Sequence, residues 1–190
     1  HADTPVSVYL VYKYFIQSPT PDYATASKLM AMMRKEQPDN SSLARLATAA
    51  ETYKKAAVGS TLQHFNAADI NGNSVSSGNL NRGTAVISVW ATWSYDSQNM
   101  QRMLKRMKRQ KGDRLRLLSI CLDASINDCR QAMKRDTVTW TNVCDGKMFE
   151  GKLFRQLGMG YVPDNLLLRD GKIIARRLSV DELESRLKGI

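Results

Sequence analysis

Two serines three residues apart, Ser94 and Ser97, lie in the stretch Trp90-Ala91-Thr92-Trp93-Ser94-Tyr95-Asp96-Ser97, between an apolar run and a basic, methionine-rich one. A serine becomes a nucleophile only when a neighbouring base takes its proton, and a third group usually orients that base. The interior histidine, His64, lies in an upstream turn-rich segment with no acidic partner evident in the sequence. Hydroxyls at a helix start have a plainer use: they accept backbone N–H groups, worth about 1 kcal/mol. The pair therefore reads as N-capping rather than hydrolytic.

The three cysteines, Cys121, Cys129 and Cys144, show no C-x-x-C spacing, and with only two histidines they do not read as a structural zinc site. Cys121 and Cys144 each end an apolar strand-like run, so they could form a disulfide if their Cα atoms came within about 7 Å. Buried, inert thiols are the other reading. Cys129 falls in mid-helix and is expected to face the core. The nine methionines raise a Cu(I) site, since thioethers are soft ligands. Met100, Met103 and Met107 follow a helical core stripe, however, and Met30, Met32 and Met33 have no histidine or cysteine near them in sequence. No metal or other cofactor is expected.

The chain carries a formal charge of +10, and eight basic residues fall between Arg102 and Arg116, among them Lys105, Arg106, Lys108 and Arg109. Such a patch attracts polyanions over about a Debye length. It lacks interleaved aromatic rings to stack on bases, so no nucleic acid is expected. An acidic protein partner or an anionic membrane surface remains open. No apolar run approaches the roughly 20 residues that cross a bilayer, and the N-terminal stretch lacks the layout of a signal peptide, so an exported form would already have lost its leader.

The elements that must position these residues divide at about residue 58. Residues 1–58 read as three helices, opened by Thr4-Pro5, Thr20-Pro21 and the cluster Asn40-Ser41-Ser42, with apolar residues at helical spacing. Residues 59–190 change pattern. Phe65 to Asp69 and Ser74-Val75 flank Asn71-Gly72, a hairpin turn signal. The β-branched run Thr84 to Trp90 reads as a strand covered on both faces. A helix follows with its apolar stripe at Met100, Met103, Leu104 and Met107. Then come a strand to Leu122, a helix from Ile126 to Arg135, a strand from Val138 to Cys144, a helix from Met148 to Leu157, a hairpin around Asp170-Gly171 and a closing helix. This order implies an α/β fold with a mixed sheet flanked by helices.

From Val58 onward these pieces resemble the thioredoxin-like family of TlpA and ResA type, in particular Bacteroidetes envelope proteins. The resemblance rests on VGSTLQHFNAADINGNSV, AVISVWATWSYDS, YVPDNLLLRDGKII and the closing helix. It implies a thioredoxin-like fold preceded by a small helical segment. It also implies that Ser94 and Ser97 occupy the places of a redox C-x-x-C pair, whose first thiolate attacks a disulfide while the second resolves the intermediate. Serine can do neither. The following residues, Gln98 to Arg102, also depart from the family pattern, which favours natural loss of the pair over an engineered exchange. Val162-Pro163 falls at the family's cis-proline. The expectation is thus a protein without its family's catalysis, a binding or scaffold module whose groove is formed by Trp93, Tyr95, Asp96, Val162 and Pro163 and takes a peptide or protein ligand. Two alternatives stay open: thiol-disulfide exchange through a relocated Cys121/Cys144 pair, and anionic-surface binding through Arg102, Lys105, Arg106, Lys108 and Arg109. The resemblance places the protein in the periplasm or cell envelope, with a lipid anchor conceivable in its full-length form.

Overall fold

A computed structural model describes residues 5–16, 18 and 21–190. The chain forms two compact units, His1–Lys55 and Ala56–Ile190. The first is helical: α1 (Pro5–Val11) runs into a π-helical turn at Tyr12–Ile16, followed by α2 (Tyr23–Glu36) and α3 (Ser41–Lys55). Asp22 caps α2, accepting the Thr25 N–H at 2.9 Å, so the start expected at Thr20-Pro21 falls slightly later. Thr4 and Thr20 lie outside the described residues. Asn40 caps α3 through the Leu43 N–H at 3.0 Å. Met30, Met33, Leu43 and Ala50 fill the core of this unit with Val11 and Ile16. Met32 points to solvent.

The second unit begins at Ala56 rather than at residue 59, because Ala56 is buried in its core and the Gly59 N–H bonds the Ile173 carbonyl. A hairpin leads it, β1 (Asn66–Ala68) against β2 (Ser74–Ser76). Its turn has Gly72 at φ +87°, a conformation open to glycine, and the Asp69 carboxylate accepts the Asn71 and Asn73 N–H groups at 2.8 Å each.

The main sheet contains β3 (Thr84–Trp90), β4 (Leu115–Cys121), β5 (Thr141–Val143), β6 (Asp164–Arg169) and β7 (Lys172–Arg176), in the order β5-β4-β3-β6-β7. β3, β4 and β5 are parallel; β6 and β7 are antiparallel to their neighbours. Helices α4 (Tyr95–Lys111), α5 (Ile126–Arg135), α6 (Lys152–Gln156) and α7 (Val180–Lys188) complete the layers. All seven residues of β3 are buried, as an apolar, β-branched central strand requires. Ala85, Ile87 and Val89 pack into one core with Phe65, Phe154 and Leu166. Val86 turns to the other, with Met100, Met103, Leu104, Met107, Leu183 and Leu187. Met100, Met103 and Met107 are core packing, as their spacing implies.

Two elements are shorter than expected. The strand from Val138 contracts to β5 because the Val138 N–H is bonded to the Met133 carbonyl at the end of α5, at 2.9 Å; the Trp140 side chain, just before β5, turns inward and donates its indole N–H to Ser119 Oγ at 2.8 Å. The helix from Met148 splits into a 3-10 turn (Met148–Glu150) and α6, with Gly151 extended at ψ 133° between them.

Candidate functional site

The parallel strands end at one edge of the sheet, and the β3–α4 turn lies there. Ser94 is the N-cap of α4, its Oγ accepting the Ser97 N–H at a long 3.4 Å. Ser97 is not a second cap. It is fully buried, and its hydroxyl is held by the backbone of the turn: it accepts the Ala91 N–H at 3.1 Å and lies within donating distance of the Ser94 carbonyl at 2.8 Å and the Ala91 carbonyl at 3.1 Å. The Thr92 carbonyl accepts from Gln98 Nε2 at 2.6 Å, and the Thr92 N–H donates to Asp123 Oδ1 at 3.0 Å. His64 is exposed on the β1 side, and its carbonyl accepts from Gln156. Among the described residues no base is bonded to either serine hydroxyl, so the turn lacks the proton acceptor a serine nucleophile requires.

The Val162–Pro163 bond is cis. Val89 pairs with Asp164 across the antiparallel β3–β6 ladder, so Pro163 falls opposite the start of the turn. The Asp164 carboxyl is buried; it accepts the Gly160 N–H at 3.0 Å and the Asn165 N–H at 2.8 Å. Burial pushes its pKa up, against the lowering pull of those N–H groups and of Arg176 and Arg177.

Around this polar floor the surface is aromatic. Trp93 is 54% exposed and Tyr95 70%, while Phe149 and Tyr161 each expose about two-fifths of their area. The Trp93 ring centroid lies 6.3 Å from that of Phe149, which in turn meets Phe154 edge-on at 5.8 Å. Arg102 lies over Tyr95 and Arg177 over Tyr161, both cation–π contacts. Asp96 is exposed in the first turn of α4, where the helix dipole favours an acid. Phe149, Tyr161, Asp123 and Asp164 are the residues that sequence reasoning missed; only the two acids carried a signal, their position at strand ends.

The cysteines form a different assembly. Cys121 ends β4, Cys144 follows β5 and Cys129 lies in α5, yet their three sulfur atoms fall within 4.8 Å of one another. Cys129 therefore does more than face the core: it completes a triad with the pair singled out from sequence. All three are buried free thiols, packed against Ile70, Trp90, Ala132 and Met133. S–H contacts with Cys129 and then Cys144 push the Cys121 thiol up, with burial adding to them. Cys129 is drawn down by Cys121 but raised overall by Cys144, burial and the charges of Cys144 and Asp123. Cys144 is drawn below the usual thiol range, because Cys121 and Cys129 both donate toward it. As a thiol, Cys144 donates to the Asp123 carbonyl at 3.5 Å.

The basic run from Arg102 to Arg116, most of it in α4, is largely occupied within the fold. Arg106 pairs with Glu184 at 2.8 Å, and Lys105 donates to the Asp136 carbonyl at 2.6 Å. Lys108 holds the Gly112 and Leu115 carbonyls, Lys111 those of Lys188 and Ile190, Arg102 bonds Asn99, and Arg116 bonds the Arg82 carbonyl. Among the described residues no such partner is found for Arg109 and Arg114.

No family model matches the chain, and no curated protein does. Solved structures do. One is the C-terminal domain of a protein designated a thiol-disulfide oxidoreductase from Bacteroides thetaiotaomicron: 27% identity, TM-score 0.63, covering 72% of this chain and 97% of that one. A thiol-disulfide oxidoreductase from Bacteroides fragilis is 25% identical, with TM-score 0.61, over 68% of this chain and 98% of that one. A secreted disulfide oxidoreductase from Mycobacterium tuberculosis shares the fold at 17% identity and TM-score 0.58, over 66% of this chain and 96% of that one.

Proposed function

We propose that this chain, a thioredoxin-like protein of the TlpA/ResA type, binds an extended peptide or protein segment at its β3–α4 turn and performs no disulfide exchange there. The observation that carries the reading is the buried Ser97 hydroxyl, tied into the backbone of the turn beneath an exposed aromatic surface. A hydroxyl neither ionises near neutral pH nor forms a disulfide, so the turn retains architecture without the sulfur chemistry of its relatives. Trp93 against Phe149, with Tyr161 two residues from Pro163, supply what such a groove can still offer: apolar area, with aromatic rings of the kind enriched at binding hot spots.

Exchange through Cys121 and Cys144 is the weaker reading. An attacking thiolate must reach its target disulfide, and these two residues are 2% and 6% exposed. Anionic-surface binding by the run from Arg102 to Arg116 is weakened in turn by the internal partners of six of its eight basic residues. The proposal includes a periplasmic or envelope location, supported by the resemblance and by a fold neighbour described as secreted. Among the described residues no helix is long and apolar enough to cross a membrane.

The test uses a displayed library of extended peptides together with a disulfide reporter reduced by dithiothreitol. Selected peptides bind the wild type and lose at least tenfold in affinity with Trp93→Ala or Phe149→Ala, while reporter reduction stays at the uncatalysed rate. Turnover at a rate typical of thioredoxin-like enzymes, or peptide binding indifferent to both substitutions, would overturn the proposal.

A further inference from the structure

Independently of the groove, we infer that Cys121, Cys129 and Cys144 form a binding site for a single thiophilic metal ion, with Cu(I) as the ion their geometry fits. Their three sulfur atoms lie within 4.8 Å of one another, although the residues come from two strand ends and a helix. An ion at the centre of a sulfur triangle with metal–sulfur distances of about 2.3 Å needs sulfur–sulfur separations of about 4.0 Å. With 4.8 Å as the upper bound on every pair, no separation has to shorten by more than about 1 Å to reach that spacing, within the reach of side-chain rotation.

The donor set selects the ion. Soft thiolates favour Cu(I) and zinc over hard cations. Zinc in structural sites takes four protein ligands, whereas among the described residues no fourth histidine, cysteine or carboxylate ligand atom joins this group. The wall is apolar, made by Ile70, Trp90, Ala132 and Met133, and shields the thiols from water and oxidants. Polar groups also face the sulfurs: the Gly146 N–H toward Cys144, the Asp123 N–H toward Cys121, and the N-terminal end of α5, of which Cys129 is the fourth residue. These temper the negative charge that thiolates bring.

A second observation points the same way. The Asp123 side chain is 3% exposed and, among the described residues, its Oδ2 has no hydrogen-bond partner, while its charge is felt at Cys129. Asp123 lies outside the sulfur group and is no fourth ligand, but a cation held by the three sulfurs would offset the cost of its buried charge at longer range. Loading replaces thiol protons by the ion, so it releases protons to solvent.

The experiment is an anaerobic titration of the reduced full chain with Cu(I) against a colorimetric Cu(I) chelator. The expected result is one ion retained per chain, a sulfur-to-copper charge-transfer absorption, and sulfur neighbours at about 2.3 Å by X-ray absorption. Cys129→Ser should lower retention at least tenfold and abolish the rise in unfolding midpoint that copper gives the wild type. Should that variant fail to fold, Cys144→Ser, at a slightly more exposed strand end, makes the same comparison. Retention unchanged in a folded variant, no retention against the chelator, or zinc held in preference to Cu(I) would each overturn the assignment.

Discussion

Ser97→Ala isolates the claim that the hydroxyls of the turn are structural. Ala91 is fully buried, and its N–H is accepted by Ser97 Oγ at 3.1 Å. The two carbonyls near that hydroxyl keep other donors: Ala91 O retains the Ser94 N–H at 3.2 Å, and Ser94 O the Gln98 N–H at 3.1 Å. The cost of removing the hydroxyl therefore falls on one orphaned buried donor, about 1–3 kcal/mol. With a urea dependence of about 2 kcal/mol per molar, the unfolding midpoint should drop by about 1 M. Ser94→Ala removes only a 3.4 Å cap bond and should cost about 0.5 kcal/mol, at the low end for N-caps. Tryptophan fluorescence suits the measurement because Trp90, Trp93 and Trp140 all belong to the second unit, so unfolding of the helical unit does not enter the signal directly. If Ser97→Ala leaves the midpoint unchanged, or costs no more than Ser94→Ala, the reasoning about the turn fails.

Asp164 gives a pH signature. Its folded pKa is raised by burial, so between the unfolded value near 4 and that raised value the folded state holds more protons than the unfolded one. Its contribution to stability is therefore fully present below about pH 4 and is lost as pH rises through the folded value. Asp164→Asn should flatten that part of the stability profile in urea unfolding from about pH 4 to 8; an unchanged slope would assign it to other groups. Leu104→Ala, at the fully buried centre of the α4 face, should cost about 2–5 kcal/mol by the same assay, and a smaller loss would mean that the methionines around it close the cavity.

Much of the scaffold was legible in sequence because its signals are local. The unbroken apolar run of β3 could only be a covered strand, and the spacing of Met100, Met103, Leu104 and Met107 named the buried side of α4 before any fold was assumed. Asn71-Gly72 marked its turn because few dipeptides tolerate that backbone. The lengths of β5 and α6 were not legible, since they depend on how α5 ends against Val138 and on the extended backbone at Gly151.

Residue types and spacing alone show that the β3–α4 turn carries oxygen rather than sulfur, that the charge gathers largely on one helix, and that the chain has too few histidines for a conventional zinc site. What those residues meet follows from the folded chain. It locked Ser97 to the backbone of its own turn, turned six basic residues back onto the fold, and brought Cys129 to Cys121 and Cys144. The physical reason is range: helical and strand periods act over a few residues, whereas three sulfurs so far apart along the chain meet only through strand order and helix packing.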